Sequence, residues 1–313
     1  MVNQPNSSES DSASEHSFSS MADALKNPSQ VTKLDLHFKH LEEFPDQIKQ
    51  FTNLKELILW NNSIRTIPDF IGDMKSLEKI ELSGNRLKEL PDTLCNLPNL
   101  HTLILSWNEL EKLPENIGNL SKLNKIGLNY NKLRSLPTSI GNLNSLVELV
   151  ISDNELSALP DTIGSLSNLR ALRASGNHFS TLPDSLSNLS NLEKLEIHEN
   201  NINKLPDNIG SLKQLQKIRL YKNLLSELPQ SITELPNLKK LLLYENELNS
   251  LPNSIGNLSS LEELELCANQ LSEVPDSINN LTNLKVLDLT KNKLNDTLTS
   301  NIKVSLKNTK VLA

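Results

Sequence analysis

Eleven prolines stand 23 residues apart without a break, from Pro45 and Pro68 through to Pro252 and Pro275. A chain with a fixed period between about 20 and 50 residues folds as a solenoid, because each repeat buries its apolar edge only against its neighbours. Framed on residues 54–76, the unit reads Leu-x-x-Leu-x-Leu-x-x-Asn-x-Leu-x-x-Leu-Pro-x-x-Ile-Gly-x-Leu-x-x. Apolar residues at unit positions 4 and 6 have strand spacing and point to one side, so positions 3, 5 and 7 point to the other. The position-15 proline has no N–H to donate and ends the ladder. About one turn of helix or 3₁₀ structure then returns the chain.

Asparagine holds position 9 in repeats two to twelve, from Asn62 to Asn292. An inward amide offers two donors and an acceptor where the chain leaves each strand, which suits a ladder linking coil to coil. Six of the nine glycines (Gly72, Gly118, Gly141, Gly164, Gly210, Gly256) fall at position 19, a structural use rather than a phosphate loop.

This unit resembles the leucine-rich repeat family, and is most similar to the LPxxIG-type repeats of spirochaete and other bacterial proteins and of intracellular Ras-group scaffolds. The resemblance runs from Val31 to the C-terminus, and the segment 24–36 that leads into repeat one looks most like the bacterial group. It implies an α/β, right-handed, horseshoe-shaped solenoid. A parallel sheet lines the concave face, short helix or 3₁₀ segments lie on the convex side, and the concave face usually binds another macromolecule.

The expected organisation is a Ser-rich disordered tail over residues 1–20, a short cap over 21–30, eleven repeats over 31–283, and a degenerate twelfth repeat with a C-terminal cap over 284–313. In the last segment the alternation Ile302, Val304, Leu306 suggests a terminal strand over the final core edge. In repeat seven, Phe179 is expected to fill the space left by Ala174.

The formal net charge is −7, which argues against nucleic acid as partner. No apolar run approaches the ~18 residues of a membrane span. Cys95 and Cys267 lie eight repeats apart, roughly 38 Å, too far for a bridge. Two isolated cysteines and no apolar leader point to the cytoplasm, and the chain is expected to be a monomer. No catalytic set stands out from the repeat background, the histidines show no metal-ligand spacing, and no cofactor motif occurs.

All five Trp and Tyr residues fall at positions 7 or 8, on the face left free by the core. Two groups of candidate partner-binding residues follow. One, in repeats one to six, is Phe38, Ile58, Trp60, Ile104, Trp107, Tyr130 and Val150, expected to form one apolar patch. The other, in repeats eight to ten, is His198, Lys217, Arg219, Tyr221, Leu242 and Tyr244. On this face, six basic residues against three acidic ones in repeats seven to ten suggest a basic zone for acidic groups of a partner. The function expected is a non-enzymatic interaction module or scaffold that binds a protein partner. Two alternatives are a bacterial effector that reaches a host cell without a Sec signal peptide, its Ser-rich N-terminus acting as export signal, and a Ras-group signalling scaffold.

Overall fold

The computed structural model describes residues 16–313. Among these residues fourteen strands form one parallel sheet in strict sequence order. Twelve three-residue strands, from Lys33–Asp35 to Val286–Asp288, are the repeats, and each pairs with the next at an offset of one repeat. Short strands with a 3₁₀ return path on one side make an open solenoid, and parallel crossovers of this kind are right-handed. The core is a single stack of Leu and Ile from consecutive coils, most of them fully buried. Ala174 and Phe179 are both fully buried, as expected of a filled site.

The asparagine ladder closes the strand exits. In repeats two to twelve the Asn carboxamide oxygen accepts a backbone N–H of the preceding coil, and its amide donates to carbonyls of both coils. Asn108, for example, accepts from Leu87 N at 3.0 Å and donates to Leu82 O at 2.9 Å and Leu105 O at 3.0 Å.

In repeats two to ten the residue at position 19 goes with the length of the next 3₁₀ segment; Lys49 of repeat one, which is also followed by a five-residue segment, Asp69–Asp73, stands outside this pattern. Wherever repeats two to ten carry glycine there, the next coil has a five-residue 3₁₀ segment, such as Thr138–Asn142 after Gly118. The three exceptions, Cys95, Ser187 and Thr233, are each followed by a three-residue segment: Ile117–Asn119, Ile209–Ser211 and Ile255–Asn257. A Cβ on Gly141 would come within 2.7 Å of Thr162 Cβ and nearer still to its carbonyl oxygen. Glycine at this position therefore lets the next 3₁₀ segment start early and pack close.

Both ends differ from the sequence expectation. Ser17–Phe18 is a strand paired with Lys33–Asp35, so the N-terminal cap begins inside the stretch read as a tail; residues 1–15 lie outside the described residues. The helix Met21–Ala24 follows, capped by the Ser20 side chain. At the other end, Ile302, Val304 and Leu306 are not a strand. They belong to the helix Asp296–Ser305 and its C-cap, which starts where the Asn295 side chain accepts the Leu298 N–H at 2.8 Å. Ile302 and Leu306 are one helical turn apart and both buried, while Val304 is 67 % exposed. The last strand is Lys310–Leu312, paired with Val286–Asp288.

Candidate functional site

Every repeat turns at position 8 through the left-handed region. Ten of these twelve residues are not glycine, and among them are Phe38 (φ 52°), Trp107 (φ 58°) and Tyr130 (φ 56°); Gly84 and Gly176 complete the series. An L-residue pays roughly 1 kcal/mol for this conformation relative to glycine. Phe38, Trp107 and Tyr130 nevertheless stand there 55 %, 58 % and 41 % exposed. Local backbone preference and core packing both disfavour large rings at these points, so the fold does not explain them.

The rings assemble into three stacks on the sheet face. Trp60 lies flat on His37 at 4.6 Å, with Phe38 edge-on to the indole at 4.7 Å. Trp107 stacks on Tyr130 at 3.8 Å. His198, Tyr221 and Tyr244 form a continuous column, at 4.2 and 4.3 Å between successive rings. Burial, then the neighbouring Tyr221, pushes the Tyr244 phenol up to about 12, and burial pulls the His198 imidazole below its ordinary value.

The expected single apolar patch is two patches. Repeat three places Glu81, Ser83 and Gly84 between the Trp60 and Trp107 stacks. Ile58 is buried, and so is Leu242, which lies in register between Arg219 and Glu265. Long charged side chains cover such positions with their stems, so these two residues offer little surface. Ile104 and Val150 line a hollow of about 640 Å³ over Gly127, shared with Lys79, Glu81, Lys125, Glu148 and Arg173. An added Cβ on Gly127 would meet Ile104 Cδ1 at 3.2 Å. Gly127 and His37 were not singled out from the sequence, although both hold face positions of the repeat.

The basic zone is largely neutralised from within. Buried Glu196 meets Lys217 Nζ at 3.2 Å, Arg173 Nε at 3.3 Å and Arg219 at 3.4 Å. Arg173 also pairs with Glu148, Lys222 with Glu199, and Lys240 with Glu263. Burial alone would raise the Glu196 carboxyl, but the Lys217 hydrogen bond and the charges of Arg219, Lys217 and Arg173 outweigh it and hold it below its ordinary 4.5. A lowered carboxyl stabilises the fold fully above its unfolded value and ceases to as pH falls through the folded value. Glu196→Gln is expected to cost about 1–2 kcal/mol at pH 7, the partial exposure of the cations limiting the loss. The gap to wild type should close as urea titrations move from pH 7 towards pH 3; a gap independent of pH would contradict the ion cluster.

A second substitution separates face from core. Trp107→Gly relieves about 1 kcal/mol of left-handed strain and forfeits about 0.5–1.5 kcal/mol of ring stacking. Unfolding stability should therefore stay within about 1 kcal/mol of wild type. A loss beyond roughly 2 kcal/mol would mean that the indole belongs to the core.

Among the described residues no group of three or more His, Cys, Asp or Glu is placed to hold a metal ion, and no helix is long and apolar enough to cross a membrane. Burial pushes the Cys95 thiol up to about 12, which leaves it unreactive, and Cys267 accepts the Thr290 hydroxyl at 3.1 Å.

Comparison with known proteins agrees with this architecture. The chain is similar to the Leptospira interrogans LRR protein LIC12759 at 29 % identity, over 94 % of this chain and 98 % of that one, with a TM-score of 0.62. An internalin, inlF, from Listeria monocytogenes shares the fold at 24 % identity and a TM-score of 0.71, over 92 % of this chain and 88 % of that one. The plant peptide hormone receptor RGFR1, solved in complex with RGF2, matches at 28 % identity and a TM-score of 0.56, over 85 % of this chain but 52 % of the receptor. No significant match was found among curated proteins. Residues 113–201 and 195–313 match the family model for a leucine-rich repeat region, and residues 29–87 and 52–110 match that for a leucine rich repeat. Matched over most of its length and built as a single stack of 23-residue coils, the chain belongs to the leucine-rich repeat family.

Proposed function

We propose that this chain is a non-enzymatic interaction module, a cytoplasmic monomer that binds a protein partner across its exposed sheet face. The observation that carries the reading is the set of solvent-facing aromatic stacks, three of whose rings stand on left-handed backbone that the fold would fill more cheaply with glycine. Exposed, preorganised aromatics are the residues that dominate binding energy at protein interfaces. The stacks lie in repeats one and two, four and five, and eight to ten, so a partner that meets all three spans most of the sheet. RGFR1 in complex with RGF2 supports the reading as a related solenoid caught with a bound partner. Glu196 and its three cations are better read as a rigid, already paired support for the His198–Tyr221–Tyr244 column than as an empty receptor for acid groups.

The test is proximity labelling with the full chain in its native cell, wild type against Trp60→Ala/Trp107→Ala. The double variant should keep its melting temperature within a few degrees and lose a protein that the wild type labels, with affinity for that protein falling at least ~100-fold. Identical labelling by the two forms, with both folded, would remove the N-terminal stacks from the binding site.

A further inference from the structure

Repeat three is a gap between two indoles. At its positions 7 and 8 it carries Ser83 and Gly84, so no ring stands there. Trp60 has one face on His37, in the repeat before it, and its other face looks towards repeat three. Trp107 has one face on Tyr130, in the repeat after it, and its other face looks back towards repeat three. Their repeats are two strand spacings apart, about 10 Å along the sheet, with Trp60 at position 7 and Trp107 at the adjacent position 8. A cation over repeat three lies about one strand spacing from the repeat of each indole, comparable to the roughly 6 Å reach of a cation–π contact.

The rest of the slot is rich in acceptors. Glu81 holds position 5 of the same repeat, in register between Ile58 and Ile104, so its carboxylate has apolar neighbours on both strands. It meets Lys79 at 3.4 Å, a partly exposed pair that contributes little. The Asn61 side chain lies across Gly84: a Cβ built there would be 3.3 Å from Asn61 Cγ and closer still to Oδ1. Ser83 adds a hydroxyl. Two π faces, a carboxylate, an amide oxygen and a hydroxyl around one gap call for a flat, cationic, multiply donating guest.

We propose that this slot takes an arginine side chain of the protein partner, which rests on the reading of the sheet face as the partner's dock. A guanidinium carries five N–H donors in one plane, stays charged at all working pH values, and stacks on aromatic faces. A lysine ammonium is a hydrated point charge with no flat face to insert. The guest displaces Lys79 from Glu81 and lies between the indoles with its edge towards the carboxylate.

Trp60 and Trp107 are the chain's two tryptophans, so fluorescence excited selectively in tryptophan reports on the two indoles that flank this slot. The probes are the tripeptide acetyl-Gly-Arg-Gly-amide and its lysine and citrulline counterparts, titrated into the full chain. The arginine peptide should change the emission saturably, the lysine peptide should bind roughly tenfold more weakly, and uncharged citrulline should give no saturation. Glu81→Gln should weaken the arginine peptide roughly tenfold, while Tyr221→Ala, remote from the slot, should leave it unchanged. Equal curves for arginine and citrulline, no response to arginine, or no effect of Glu81→Gln overturn the proposal. The partner found by labelling separates the two readings. Sensitivity to Trp60→Ala/Trp107→Ala with indifference to Glu81→Gln removes the arginine slot and leaves the docking face. Indifference to all three substitutions removes the arginine slot and, with it, the N-terminal stacks from the binding site.

Discussion

Asn154→Ala is expected to destabilise the solenoid by about 3–5 kcal/mol. The Asn154 carboxamide oxygen accepts the Leu133 N–H at 3.0 Å, and its amide donates to Leu128 O at 2.9 Å, Ile151 O at 3.2 Å and Ser152 O at 3.1 Å. Two of these partners belong to repeat five and two to repeat six, and the side chain is buried. Alanine removes every one of these bonds and leaves backbone groups without partners, at about 1–3 kcal/mol for each that water cannot reach. Asn154→Asp should be no better despite its identical shape. It keeps the acceptor but aims a second oxygen at three carbonyls, and burying that unpaired charge is costly. Because repeat arrays lose cooperativity under local damage, the global midpoint understates the effect. Native-state hydrogen exchange at the Leu133 amide is the sharper measurement. A fall in its protection by less than about tenfold would mean that the ladder is redundant.

The same ladder explains how much of the molecule was legible beforehand. Proline, asparagine and glycine recur at fixed positions because each meets a backbone demand repeated in every coil: a ladder end, an exit to be capped, a close approach. Such demands leave a mark in one sequence. The C-terminal cap meets its demand only once. Ile302 and Leu306 lie on one side of either a strand or a helix, and the exposed Val304 between them is what a strand reading gets wrong; the Asn295 cap was the overlooked signal. Position 8 was readable in part, since Gly84, Gly176, Asn61 and Asp153 all tolerate left-handed backbone, but Trp107 and Tyr130 hid the pattern.

On the face, the columns followed from the period, whereas contacts between side chains did not. Spacing placed Trp60, Trp107, Tyr130, Tyr221 and Tyr244 on the exposed side. It could not show that Glu196 draws in Arg173, Lys217 and Arg219, because the choice among several neighbours one strand spacing away depends on rotamers. Nor could it show that Ile58 and Leu242 are covered. The slot over Ser83 and Gly84 was present in the sequence as two small residues between aromatic repeats, yet it acquires meaning only once the stacking direction of each indole is known.

Gly141→Val is expected to cost about 3 kcal/mol or more, and Gly141→Ser only about 1–2 kcal/mol. Both place a Cβ against the Thr162 backbone, whose carbonyl cannot rotate away. The chain itself shows how a small polar residue is accommodated. After Ser187 and Thr233 the following 3₁₀ segment is short, and the side chain bonds across the gap, Ser187 Oγ to Asn208 Oδ1 at 2.6 Å and Thr233 Oγ1 to Ser254 Oγ at 2.9 Å. Serine at 141 can adopt this arrangement with Thr162 if Asp161–Ser165 gives up its first residues. Valine has the bulk without the hydrogen bond, so its coil must part from the next. Parting the 3₁₀ side while the strands stay paired changes the angle between coils five and six. The seam between those coils lies between the Trp107–Tyr130 stack and the His198–Tyr221–Tyr244 column, so a partner that touches both should lose affinity for Gly141→Val although no contact residue has changed. Urea unfolding measures the stability ranking and small-angle scattering the change in curvature. Equal stability of the serine and valine variants would show that the added Cβ alone sets the cost, with no role for further bulk or for the bond to the next coil.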